Sequence, residues 1–80
     1  MNTSYEKIIG QRIRTQREMK GFTQEQLSAR LQLAGCDITR SALAKIEVGQ
    51  RHLYVDELKL ICLFLDISSE VLLDEMPISE

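Results

Sequence analysis

The stretch Gly21-Phe22-Thr23-Gln24-Glu25-Gln26-Leu27 constrains the fold more than any other short segment of this chain. A threonine hydroxyl can accept the backbone N–H three residues on, while a glutamine at that third position reaches back to the threonine's own N–H. Two of the donors that a helix start leaves open are met in this way. Phe22 and Leu27 flank the box as a hydrophobic staple, so a helix is expected to begin at Gln24. Leu27, Leu31 and Ala34 continue its apolar stripe as far as Gly35, and a glycine there can close a helix in the left-handed conformation.

The same signals divide the rest of the chain. Tyr5, Ile9 and Ile13 recur at i, i+4 and i+8 and predict a first helix that Gly21 stops. Thr39 is placed to cap a third, short helix, with Ile38 and Leu43 as its staple, Leu43 and Ile46 facing inward, and Gly49 closing it. After Gln50-Arg51-His52, an apolar helix is expected from about Val55 to Leu65. Leu58, Ile61, Cys62 and Leu65 fit one face, but Leu60, Leu63 and Phe64 are apolar as well, which implies burial all round or a subunit contact. Ser68 can cap a last helix through Leu73, before Pro77. The expected class is all-α, with five helices.

Eighty residues supply one hydrophobic core, so residues 1–80 are read as a single domain. Aromatic residues make up 5% of the chain, few for a β-sandwich or barrel. Residues 1–52 hold nine Lys/Arg against five Asp/Glu, whereas residues 53–80 hold one against seven. A basic half and an acidic half suit a protein that presents one face to phosphate and turns the other away. No apolar run approaches the roughly 18 residues of a membrane span, and no leader pattern opens the chain, so a cytoplasmic protein is expected.

Chemistry-bearing residues are sparse. One histidine, His52, and two isolated cysteines, Cys36 and Cys62, form no metal-ligand spacing, and both thiols are expected to be reduced and structural. Only Cys36, near Arg40, could serve a redox role. No nucleophile-base pair or glycine-rich phosphate loop emerges, so no enzyme, cofactor or metal is expected, and no small effector pocket is evident.

Four blocks resemble a known family. Ile9-Gly10-x-Arg12-Ile13-Arg14-x-x-Arg17, Gly21 through Leu27, Ser41-Ala42-Leu43-Ala44-Lys45-Ile46-Glu47-x-Gly49-x-Arg51, and Leu65-x-Ile67-Ser68 resemble, in order and mostly in spacing, the helix-turn-helix DNA-binding domains of the phage lambda repressor and Cro type, the Xre family. The resemblance covers roughly residues 8–73. It implies a helix-turn-helix at about 24–48, with helices at about 55–74 completing the core and a dimer contact. Carried over by position, it makes Arg40, Ser41, Ala44 and Lys45 base-contacting residues of a major-groove helix. Thr23, Gln24, Thr39, Gln50 and Arg51 become phosphate-contacting residues, with Arg12 and Arg14 as weaker candidates. Arg17 and Glu47 correspond to a structural ion pair joining the first helix to the end of the third.

The chain also departs from the pattern. The segment from Leu31 to Ile38 is longer than the usual tight turn by about five residues, so the family pattern does not fix the angle at which the third helix enters the groove. Gln16 stands where an apolar residue is common, Ser28 where alanine is common, and Asp66 where glycine is common. The function implied is sequence-specific binding of double-stranded DNA by a transcriptional regulator, a repressor of phage, mobile-element or bacterial genes acting as a homodimer on a palindromic operator. Leu63, Phe64, Ile67, Val71 and Met76 are the expected dimer contacts. The rival reading is an antitoxin or protein-interaction module built on the same fold.

Overall fold

The computed structural model describes residues 3–74, with side chains from Tyr5 onward. It contains α1 (Thr3–Met19), α2 (Gln24–Leu33), α3 (Arg40–Glu47), α4 (Val55–Leu65) and α5 (Ser69–Leu73), with no strand among the described residues. Helix α3 lies between α1 and α2. Helix α4 packs on α2, and α5 closes against α1 and α4. Ile13, Leu27, Leu31, Ile38, Leu43, Ile46, Ile61, Leu65 and Leu72 meet in one core that every helix enters.

The capping box at Thr23 forms as the sequence indicates. Thr23 Oγ1 accepts the Gln26 N–H at 3.0 Å, and Gln26 Oε1 accepts the Thr23 N–H at 2.9 Å. Thr39 caps α3 by accepting the Ala42 N–H at 3.1 Å. Ser68 takes the cap position of α5 without a side-chain hydrogen bond. At α4 the cap is made from the other side, where Glu57 accepts the Tyr54 N–H at 3.0 Å.

Four helices end in one pattern, in which an N–H bonds five residues back and its predecessor bonds three back. Phe22 to Arg17, Cys36 to Leu31, Gln50 to Lys45 and Ile67 to Cys62 make the longer bonds. The left-handed residue is glycine at 21, 35 and 49, but at the fourth closure it is Asp66, at φ 55°. Asp66 adopts that region more readily than most side chains, though at a cost that glycine avoids. Ala34, expected in the buried stripe of α2, is exposed as the C-cap, because α2 ends at Leu33 and Ile38 fills the core beyond it. Ser28 is buried where alanine is common, and its hydroxyl donates to Glu25 O at 3.0 Å within its own helix.

The α1–α3 contact is backbone against backbone. A Cβ on Gly10 would collide with the carbonyl oxygen of Ile46 and lie 2.9 Å from that of Glu47. One turn beyond, a Cβ on Gly49 would stand 2.8 Å from Lys7 Cα. Glycine at both places lets the end of α3 seat directly on α1.

Candidate functional site

Helix α3 turns Leu43, Ile46 and Glu47 into the protein and leaves Arg40, Ser41 and Lys45 exposed, with Ala44 half-buried between them. Among the described residues, Arg40, Ser41 and Lys45 have no ion pair or side-chain hydrogen bond, so their polar groups remain available to a ligand. Among the described residues, no other segment covers this face. It carries two cations and no carboxylate, because the one acidic residue of α3, Glu47, points inward.

Glu47 is the polar centre beneath that face. Arg17 reaches it from α1 with both edges of a fork: Nε to Oε2 at 2.7 Å and Nη2 to Oε1 at 3.1 Å. The third nitrogen, Nη1, donates to Phe22 O at 2.8 Å and so ties down the α1–α2 turn. Both side chains are nearly sealed, at 8% and 1% exposure. Hydrogen bonding to Glu47 raises the Arg17 pKa further above its ordinary value, outweighing the opposing effect of burial. Gln24 adds a contact from the first turn of α2, its Nε2 donating to Glu47 Oε1 at 3.0 Å. One carboxylate therefore holds α1, α2 and α3 together. A single neutral hydrogen bond would set their relative positions far less firmly.

At the start of α2, the capping box engages the N–H groups of Thr23 and Gln26, and Leu27 N bonds to Thr23 O, leaving those of Gln24 and Glu25 open. At α3 the Arg40 and Ser41 N–H groups are open in the same way, beside the exposed Thr39. Such paired helix starts are sites where an anion can dock. Gln50 is exposed just past α3, with its N–H bonded to Lys45 O.

Arg51, expected as a phosphate contact, also has partners within the protein. Its Nη1 and Nη2 meet Glu57 Oε1 and Oε2 at 3.0 and 3.1 Å, and Nη1 also donates to His52 O at 2.9 Å. This guanidinium ties the α3–α4 connection to the start of α4. Burial opposes the charge on Glu57, but Arg51 and the Tyr54 N–H outweigh it and hold the carboxyl below the usual range. Arg12 is likewise occupied. It donates to the carbonyls of Leu72, at 3.0 Å, and Asp74, and so closes the end of α5. Arg14 pairs with Glu18 on the surface at 3.4 Å.

Of the expected dimer contacts, Leu63 is 68% exposed and Val71 is also exposed, whereas Phe64 and Ile67 are half-buried against the core. Met76 lies outside the described residues. Val55 and Leu73, not singled out from the sequence, are exposed beside Leu63, and the three border a groove of about 530 Å³. The Val55-Lys59-Leu63 spacing of i, i+4, i+8 was the available signal. Cys36 is half-buried and Cys62 buried, both unpaired, and burial pushes both thiols up from their ordinary pKa. Among the described residues no three His, Cys, Asp or Glu side chains cluster as metal ligands, and no helix is long and apolar enough to cross a membrane.

A family model described as helix-turn-helix covers residues 13–72. No curated protein and no solved structure matches the chain.

Proposed function

Because the chain belongs to the helix-turn-helix family of the Cro/C1, Xre-like type, we propose that it is a cytoplasmic transcriptional regulator, a repressor that binds a palindromic operator as a homodimer and lays α3 in the major groove. The observation that carries this reading is the outward face of α3, left open by the described residues, with Arg40, Ser41 and Lys45 exposed and Ala44 half-buried on a helix locked to α1 and α2 by Glu47.

In this reading Arg40 pairs with guanine O6 and N7, a contact that discriminates by about 1–3 kcal/mol. Ser41 and Lys45 reach neighbouring base edges, and Ala44 packs on a thymine methyl. The open N–H groups at the starts of α2 and α3 take phosphates beside Thr23, Gln24, Thr39 and Gln50. Gln24 keeps its carbonyl oxygen and one N–H free of Glu47 for this purpose. Arg51, its guanidinium oriented by Glu57, joins them as a phosphate contact. The exposed apolar face of α4 and α5 supplies the dimer contact and, with its acidic neighbours, faces away from DNA.

Selection of bound sequences from random duplex DNA tests the proposal. The wild-type chain is expected to enrich a two-fold symmetric site, and Arg40→Ala to lose preference at one position in each half. Uniform weakening across all sequences would instead move Arg40 to the backbone, and failure to enrich any sequence would remove the regulator reading.

A further inference from the structure

We infer that a partly enclosed cavity against the inner side of α3 binds a small molecule made of an apolar body and a cationic amine. Its volume is about 280 Å³, and its walls come from Ile9 and Gly10 of α1, Ile46 of α3, Leu53 of the connection, Leu58 of α4 and Leu73 of α5. The wall is almost wholly apolar, and an apolar cavity of roughly 150 Å³ already takes up benzene. Atoms lining such a space lack dispersion partners on one side, which a fitting hydrocarbon or ring restores. No side chain at position 10 can fill the space, because a Cβ there would strike Ile46 O.

The polar part of the wall selects the charge of the occupant. Arg51 borders the cavity, but its guanidinium is engaged by Glu57. Glu6 also borders it, with Oε2 screened from solvent and His52 Nδ1 2.8 Å away. An imidazole protonated on Nδ1 completes that pair. One protonated on Nε2 leaves the oxygen without a donor, an unfavourable state for a screened carboxylate. His52 is half exposed, so it can turn aside for an ammonium group that donates to the same oxygen while its apolar portion enters between Ile9 and Leu58. An anion meets repulsion there, and a neutral hydrocarbon offers Glu6 no donor to replace His52. The occupant would touch Ile46, on the helix that bears Arg40 and Lys45.

The test uses the full 80-residue chain, with amide chemical shifts followed during titration with 2-phenylethylamine, ethylbenzene and phenylacetate. The amine should shift the amides around Ile9, Ile46, Leu53 and Leu58 saturably, and bind at least about tenfold more tightly than either other probe, the low end for a charge-assisted hydrogen bond. Glu6→Gln should erase that preference. Leu73→Phe, at an exposed edge that tolerates the larger ring, should block all three probes while the circular dichroism spectrum stays unchanged. Shifts that are absent, that scatter over the surface, or that are equal for the three probes would overturn the site. The site stands or falls apart from the DNA reading: a chain that takes up the amine but enriches no duplex refutes that reading alone, and the converse result refutes only the cavity.

Discussion

The carbonyl oxygen of Ile46 occupies the space that a side chain on residue 10 would need. Gly10 sits in the middle of α1, where glycine costs about 0.5–1 kcal/mol relative to alanine in an unconstrained helix. In this contact the balance reverses. Gly10→Ala cannot be accommodated without separating α1 from α3, and it should destabilise the protein by a few kcal/mol, in the range of about 1–3 or more seen for overpacked cores. Thermal denaturation checks the sign: a variant as stable as wild type would show that the two helices are not held in this contact.

Glu47→Ala removes a carboxylate that answers Arg17 twice and Gln24 once. The arginine would remain buried without its counter-charge, and a loss of about 3–5 kcal/mol is expected for breaking one partner of a buried pair. The variant should unfold at a much lower temperature. Its base preference, measured below that temperature by the selection experiment, should be retained. A stable Glu47→Ala protein with a changed preference would place Glu47 among the reading residues.

The depressed pKa of Glu57 gives a pH dependence of definite sign. A carboxyl with a folded pKa below its unfolded one stabilises the fold above the unfolded value, ordinarily 4.5, and loses that contribution as pH falls through the folded value. The difference in melting temperature between wild type and Glu57→Gln should therefore be constant from neutral pH down to about 5 and shrink below about 4. A difference that persists undiminished into acid would mean that Arg51 does not draw on the charge of Glu57.

Leu63, 68% exposed on α4 between Val55 and Leu73, should be the residue through which self-association is easiest to remove. Leu63→Glu is expected to leave the helical content intact and to convert a dimer to a monomer in sedimentation. Weaker operator binding should accompany that change, because one half-site contact is lost from each complex. A wild-type chain that sediments as a monomer at every concentration, with or without operator, would exclude the dimer.

Much of the architecture could be read in advance because it is written in local signals. Thr23 with Gln26, Thr39 ahead of Leu43, and the glycines at 21, 35 and 49 each act within a few residues of themselves, and the helix limits follow. Arg17 falls four residues after Ile13 on the buried stripe of α1, so a charged residue at a core position carried its own warning. What could not be read depends on partners that leave no mark in sequence. Arg12 meets main-chain carbonyls about sixty residues away. Arg51 finds Glu57 rather than solvent only because the connection folds back on α4. The placement of Gly10 against Ile46 depends on how two helices cross, and Ala34 lost its expected burial when α2 stopped one residue earlier.

The extended connection between α2 and α3 gains significance from where α3 is held. Its pose is set at one end by Gly10 of α1 against Ile46 and by Gly49 against Lys7, and at the inner face by a carboxylate shared with Arg17 and Gln24. None of these fixtures lies between Gly35 and Thr39. The linking segment can thus change in length or composition, provided a residue such as Ile38 still plugs the core, without redirecting the helix it delivers. In this architecture the hinge is decoupled from the aim, and the connection is where insertions can accumulate at least expense to recognition.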